Sequence, residues 1–376
     1  MPPINILIKP ASSACNMACQ YCFYKDVAAH REQEFEGMLS IESIEKVIQA
    51  GMEYAEHICS FAFQGGEPTL AGLDFYRQVV VLQKQYAKPG VEIRNAIQTN
   101  GYTIDEEWAA FFAENHFLVG VSLDGLKEIH DRYRLDAAGK GTYQRVISAI
   151  RLLEKHQVEY NILTVVTAAT ARNGQKIYNY FKKNHFGYQQ YIECLDPIGE
   201  EPGQHEYSLT PEKYGEFLKS MFDAWYLDMR SGTYVYNRYF ENLMMIMAGQ
   251  QPESCNMRGV CGKQWVFEAD GSVYPCDFYA LDQWRLGNIQ ENSFEEMDEK
   301  RDELGFIQWS MRQQEDCQKC RWFGLCRNGC RRNREPVTAE NTNRNYFCKS
   351  YQMFFEYAYP RLEEIYQLYM AGRIRK

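Results

Sequence analysis

The stretch Cys15-Asn16-Met17-Ala18-Cys19-Gln20-Tyr21-Cys22-Phe23-Tyr24 sets three cysteines at C-x3-C-x2-C spacing, just past a β-type apolar run (residues 4–9) and a breaker, Pro10. Three thiolates hold three irons of a four-iron cluster, whereas a closed structural cluster takes four. One iron is then left open to a different ligand. Zinc is the competing occupant, but its closed sites take four ligands, commonly as two matched pairs. The first histidine is His30, and no fourth cysteine lies nearby. The expectation for Cys15, Cys19 and Cys22 is an open iron–sulfur site.

The rest of the chain is read outward from that loop. A length of 376 residues points to two or three domains, each large enough to bury a core. Hydrophobic residues at 45% and charged residues at 24% are ordinary for a soluble globular protein. A net charge of −9 argues against a nucleic-acid footprint and against an anionic membrane surface. Met1-Pro2-Pro3-Ile4 lacks the basic region and apolar core of a signal peptide. No apolar run nears the ~18 residues that span a bilayer. These features point to the cytoplasm. There, disulfides are rare, so thirteen cysteines are better explained by metal or redox cofactors. Cys59 and Cys194 stand apart from the others and read as buried structural thiols.

Strand-like runs at 4–9, 60–64, 91–98, 117–123, 160–166 and 188–194 alternate with amphipathic segments at 41–54, 73–86, 104–114, 143–155 and 174–183. Thr103-Ile104-Asp105-Glu106 reads as a capping box opening the third of these. The alternation predicts a parallel sheet with helices outside it, because parallel strands need crossover connections. Six repeats favour a partial barrel over a closed one of eight; periodicity alone fits an open doubly wound sheet equally well. Chemistry sits at the carboxyl ends of such strands. The endings here are Gln64-Gly65-Gly66-Glu67-Pro68, Gln98-Thr99-Asn100-Gly101, Ser122-Leu123-Asp124-Gly125 and Leu195-Asp196-Pro197. Thr210-Pro211-Glu212 opens a further helix, and residues 232–236 form a plausible domain boundary. From Tyr351 the pattern is helical and aromatic, more in keeping with core than with a cofactor site, and Pro360 is expected to kink or stop it.

Eight more cysteines lie between Cys255 and Cys348: Cys255-x5-Cys261-x9-Gly271-x4-Cys276, then Cys317-x2-Cys320-x5-Cys326-x3-Cys330, then Cys348. They divide into two complete sets of four, suited to closed clusters that move electrons. Two structural zinc sites are the alternative, but zinc neither accepts nor donates an electron.

The N-terminal loop and the aromatic residues after it resemble the radical S-adenosylmethionine (SAM) enzymes. In these, SAM occupies the open iron and is cleaved to a 5′-deoxyadenosyl radical. The second cysteine field resembles the SPASM domain of radical SAM enzymes that modify peptides. That resemblance assigns Cys255, Cys261, Cys276 and Cys330 to one auxiliary cluster and Cys317, Cys320, Cys326 and Cys348 to another. Lys9-Pro10, Cys22-Phe23-Tyr24, the run from Phe63 to Leu70, Gln98 to Gly101, Tyr274 to Tyr279, Trp284 to Asn288 and Phe354 to Ala358 together resemble the anaerobic sulfatase-maturating enzymes.

The resemblance implies a partial (β/α)6 radical SAM barrel over residues 1–234 and an iron–sulfur SPASM domain over 235–376. It implies SAM and three [4Fe–4S] clusters as cofactors. The reaction implied is oxidation of a Cys or Ser in a sulfatase, within a Cys/Ser-x-Pro-x-Arg-type motif, to Cα-formylglycine. An electron donor such as a flavodoxin or ferredoxin would feed it. On matching positions, Tyr21, Gly66, Glu67, Ser122, Arg134 and Leu195 would contact SAM. Arg134 suits a carboxylate through bidentate bonds. Tyr24 and Gln64 are candidates for orienting the substrate, and Asp277 for the acid–base step. The rival reading is a radical SAM–SPASM maturase that crosslinks or epimerises another peptide. A different class, an electron carrier with structural clusters, would leave SAM intact.

Overall fold

The computed structural model describes residues 4–374. Ten strands follow in chain order: β1 (Ile4–Ile8), β2 (Ile58–Phe63), β3 (Glu92–Thr99), β4 (Leu118–Ser122), β5 (Tyr160–Val166), β6 (Tyr188–Glu193), β7 (Tyr236–Asn237), β8 (Trp265–Phe267), β9 (Ser272–Tyr274) and β10 (Gly287–Asn288). They belong to two compact units. One contains the chain up to Leu123, His130–Tyr160 and Lys263–Leu304; the other contains Asp124–Ile129, Asn161–Gly262 and the chain from Gly305 on.

In the first unit the strand order is β10-β9-β8-β1-β2-β3-β4. The β1–β2, β2–β3 and β3–β4 pairs are parallel, with Ile4 opposite Cys59 and Ile8 opposite Phe63. Alternation decides which face is buried: Cys59, Phe61 and Phe63 of β2 are fully enclosed while the residues between them are not. Helices Ile41–Tyr54, Leu73–Gln85 and Glu106–Glu114 form the crossovers between successive strands. Ser40 caps the first by accepting from Ser43 N at 3.0 Å. The third begins at Glu106, and its cap is Asp105, whose Oδ1 accepts from Glu107 N and Trp108 N at 3.0 Å each. The capping box expected at Thr103 does not form: the cap lies two residues later at Asp105, and N3 is Trp108, which has no carboxylate or amide to return the bond. Thr103 Oγ1 instead bonds Thr69 Oγ1.

The units do not follow a single cut near residues 232–236. After that point the chain re-enters the first unit, because β8 pairs in parallel with the free edge of β1, placing Ile6 opposite Trp265. Lys9 N extends the pairing by donating to Phe267 O at 2.8 Å. A three-residue strand has too little apolar periodicity to betray that pairing. Residues 236–237 form β7, which pairs with β6 in the second unit.

In the second unit β5, β6 and β7 run parallel. Helix Pro211–Arg230 opens with Thr210 as its cap and Pro211 in its first turn, as read from sequence. Helix Cys348–Met370 packs along it through an aromatic cluster: Phe222–Phe354 ring centroids lie 5.6 Å apart and Trp225–Phe240 4.9 Å apart. Phe354, Phe355, Ala358, Leu362 and Ile365 are all buried, so the C-terminal stripe is core. Each of the four larger side chains contributes on the order of 1.5–3 kcal/mol by burial. Pro360 neither stops nor divides this helix, which continues ten residues beyond it. A proline forfeits one ladder bond, and packing along a whole helix face outweighs that loss. No helix among the described residues is long and apolar enough to cross a membrane.

Candidate active site and iron–sulfur sites

The cysteine loop is gripped by the strand ends of the first unit. Gly66 N donates to Ser12 O at 3.0 Å and Glu67 N to Ala14 O at 2.7 Å, so the turn after β2 lies flat against the loop. A Cβ on residue 66 would stand 2.1 Å from Ala14 O; only glycine permits this approach. Glu67 then ties the turn to the end of β3. Its Oε1 accepts from Thr69 Oγ1 and Thr99 Oγ1, both at 2.7 Å, and its Oε2 from Asn100 N at 2.8 Å. Desolvation raises the Glu67 carboxyl, opposed by these bonds. Sequence reading gave Glu67 a role toward SAM, whereas most of its acceptor capacity is spent inside the protein.

Asn100 follows the last residue of β3. Its Nδ2 donates to Asn16 Oδ1 at 2.8 Å and stands 3.7 Å from Cys15 Sγ, so it braces the loop at its first cysteine. On the other side, Ala18 N donates to Leu135 O at 2.7 Å and Gln20 N to Tyr133 O at 3.1 Å. This pairing carries Arg134 to the loop, where its guanidinium lies 5.4 Å from the Tyr21 ring centroid. Arg134 is buried, and its carbonyl accepts from Thr142 Oγ1 at 2.9 Å. Gln98 Nε2 reaches Ser122 Oγ at 3.1 Å, linking the ends of β3 and β4. Tyr21, Gly66, Glu67 and Arg134 thus lie in or against the loop in the first unit, and Ser122 lies at the end of β4 in the same unit. Leu195 belongs to the second unit.

Beside the third cysteine stands a hydrogen-bonded trio. Tyr24 OH donates to Asp277 Oδ2 at 3.2 Å, Gln64 Nε2 donates to the same oxygen at 3.1 Å, and Gln64 also bonds the Tyr24 hydroxyl. Cys276 Sγ lies 3.5 Å from Asp277 Oδ1. Phe23 packs its ring edge-on to Phe278 at 4.8 Å. Desolvation raises the Asp277 carboxyl above the ordinary aspartate range, against lowering by Cys276, Tyr24 and the charge of Lys9. Lys9 lies over the Tyr24 ring at 5.4 Å. It is itself buried in an ion-pair cluster in which Glu268 binds both Lys9 and Arg31. Sequence reading had Lys9 only as part of a motif and missed Glu268 and Arg31, which are 237 positions apart.

The thiols group as follows. Desolvation pushes the Cys15 thiol up to about 12, and the nearby Cys19 and Cys22 add to that rise. In the second unit Cys255 and Cys261 act on Cys330. Also there, Cys317, Cys320, Cys326 and Cys348 line one cavity of about 160 Å³. Cys276 lies in the first unit, and Cys59 and Cys194 are buried. Among the described residues no three Cys, His, Asp or Glu side chains stand close enough to hold a single metal ion. A four-iron cube is larger than one ion and takes one thiolate per iron. Four thiols facing one cavity are a donor set that fits such a group.

The model of the radical SAM superfamily matches residues 10–176, and that of an iron–sulfur cluster-binding domain, SPASM, matches 255–321. The chain is 48% identical over 356 residues to a cysteine-type anaerobic sulfatase-maturating enzyme of Clostridium novyi, covering 95% of each chain. It is 49% identical over 362 residues to that of Clostridium perfringens strain 13, covering 96% of this chain and 98% of the other. The solved structure of anSMEcpe with bound AdoMet and the Kp18Cys peptide superposes with a TM-score of 0.93 at 48% identity, covering 97% and 99% of the two chains. Likeness of this degree extends over both matched domains and nearly every residue: the chain belongs to the anaerobic sulfatase-maturating enzymes, within the radical SAM superfamily.

Proposed function

We propose that this enzyme oxidises a cysteine side chain of a sulfatase polypeptide to Cα-formylglycine, beginning with loss of a hydrogen atom from Cβ. Cysteine as the target is supported by identities of 48–49% to cysteine-type relatives against 32–33% to serine-type ones. When bound, SAM and its cluster supply the hydrogen-abstracting radical, and closed clusters take up an electron. Cys15, Cys19 and Cys22 would hold the first cluster. Cys255, Cys261 and Cys330 would hold the second, with Cys276 as fourth ligand on the strength of the family resemblance. Cys317, Cys320, Cys326 and Cys348 would hold the third.

The observation that carries the chemistry is the trio at Asp277. After hydrogen loss the substrate must still give up one electron and one proton, and water then exchanges sulfur for oxygen. Asp277 is the acceptor for the thiol proton, since a carboxylate raised by desolvation is a stronger base than an exposed one. Tyr24 and Gln64 both donate to Oδ2 and Phe278 N donates to Oδ1 at 3.1 Å, so the carboxylate is held in one orientation beside Cys276. Tyr21, Gly66, Ser122, Arg134 and Leu195 are the proposed SAM contacts, and Glu67 acts chiefly by holding the turn that presents Gly66. The polypeptide substrate would carry a Cys-x-Pro-x-Arg-type motif, and a flavodoxin- or ferredoxin-type protein would donate electrons. A reducing, cytoplasmic setting suits a chain with thirteen cysteines.

The test is anaerobic reconstitution with iron and sulfide, then incubation with SAM, reductant and a short sulfatase peptide. The expected products are 5′-deoxyadenosine and a peptide with the mass of formylglycine at the target position. Deoxyadenosine with an unchanged or merely dehydrogenated, crosslinked peptide would instead favour the modification of another class of peptide.

A further inference from the structure

We propose that the indole N–H of Trp322 donates a hydrogen bond to a sulfur of the cluster held by Cys317, Cys320, Cys326 and Cys348, and so raises that cluster's reduction potential. This inference rests on the reading that those four thiols hold an iron–sulfur cluster.

Trp322 lies between two of the four cysteines, and its backbone is locked into their turn. Its carbonyl accepts from Cys326 N at 2.9 Å, while Phe323 N donates to Cys320 O at 3.0 Å. The ring packs against Phe355 at 5.8 Å and Tyr359 at 5.4 Å, leaving the residue only 6% exposed. The side chain lines the same cavity as the four thiols. Its Nε1 is buried and has no acceptor among the described residues. An indole nitrogen can only donate, and a buried donor without a partner is uncommon enough to need a reason.

Other donors of the cavity wall are already engaged: Asn345 Nδ2 donates to Asn328 O at 3.1 Å, the Tyr351 hydroxyl to Glu193 Oε1 at 2.9 Å, and the Arg344 guanidinium pairs with Asp316. Asn328 Nδ2 donates to Arg312 O at 3.1 Å. That leaves Trp322 as a donor that the protein itself does not satisfy, at a cavity whose proposed occupant carries sulfur acceptors and negative charge. The Arg321 guanidinium sits 4.3 Å over the indole ring and draws electron density toward itself, which strengthens the N–H as a donor. Hydrogen bonds to cluster sulfurs stabilise the reduced, more negative state more than the oxidised one, and they are one of the levers that set a cluster's potential. Trp322 acts through the cluster and is a positioning residue in that sense.

The test uses anaerobically reconstituted full-length enzyme, wild type and Trp322→Phe, with iron content and electron paramagnetic resonance recorded first. In wild type, electron–nuclear double resonance on this cluster should show a proton coupling that disappears in deuterated buffer. The Phe variant should keep its iron, lose that coupling and shift this cluster's midpoint to lower potential, leaving the other two in place. An unchanged midpoint, or a coupling that persists in the variant because water supplies it, overturns the proposal. Should the variant fail to load iron, benzothienylalanine at position 322 removes the N–H while keeping the ring's shape, and the same two outcomes apply. A wild-type protein with no cluster in this cavity would sink the underlying site assignment instead, a result that iron counting on a Cys348→Ala variant separates from the first.

Discussion

The Tyr24 hydroxyl donates to Asp277 Oδ2 at 3.2 Å, so a residue two places past the third cysteine of the N-terminal loop holds the carboxylate that follows Cys276. If that carboxylate accepts the substrate proton, Asp277→Asn should form formylglycine about 10²–10⁴-fold more slowly. Reductive cleavage of SAM should continue, because Asp277 is not asked to serve it. Tyr24→Phe removes one hydrogen bond to a charged group, on the order of 1.5–3 kcal/mol, and should slow product formation about 10–100-fold. Peptide mass spectrometry alongside deoxyadenosine quantification checks both. Unimpaired product from Asp277→Asn would remove it from the chemistry.

Gly66→Ala puts a methyl group 2.1 Å from Ala14 O, against backbone rather than a side chain that can swing away. The turn must lift off the cysteine loop. The expected cost is about 1–3 kcal/mol or somewhat more, together with weakened SAM binding. Chemical denaturation and equilibrium dialysis with SAM measure the two effects separately. A variant as stable as wild type that also binds SAM normally would contradict the close approach.

If the enzyme binds three four-iron clusters as proposed, replacing Cys15, Cys19 and Cys22 together by alanine should lower the iron content by about a third. The two remaining clusters should still give reduced-state resonance signals, while SAM cleavage vanishes. Loss of all iron would show that the three sites do not load independently.

Glu268→Gln leaves Lys9 and Arg31 buried without their shared carboxylate, and breaking such a group from one side costs about 3–5 kcal/mol. The pH dependence has a definite sign. Desolvation works to raise the Glu268 carboxyl, but the Lys9 and Arg31 charges outweigh it, and the group lies below its ordinary value of 4.5 when folded. Its contribution is therefore fully present above the unfolded carboxylate range and is lost as pH falls through the lower folded value. Denaturant midpoints taken from neutral pH down to about pH 3 should converge for wild type and Glu268→Gln. Parallel curves would refute the ion-pair account.

Much of this was legible along the chain because the signals are local. Helices 41–54, 143–155 and 174–183 begin and end where periodicity places them. Strand endings such as Gln64-Gly65-Gly66-Glu67 were visible as polar breaks after apolar runs. What the reading missed at Thr103 is a choice between two nearby cap residues, and the backbone conformation around Asp105 made it. Pro360 was misjudged for a different reason. A local penalty was weighed without the helix face, running from Ser350 to Ile365, that is buried in the second unit.

The spacing of eleven cysteines and the alternation of apolar runs determined the class of cofactor and the kind of sheet, because metal ligation and crossover connections both constrain residues that are close in sequence. Tertiary structure alone decided that β8 completes the edge of β1, that Glu268 neutralises Lys9 and Arg31, that Asn100 braces Cys15, and that Asp277 meets Tyr24 and Gln64. Those relationships join segments between 84 and 259 residues apart. Nothing in a linear chain encodes such meetings until burial brings the charges and donors into a medium where each must find a partner.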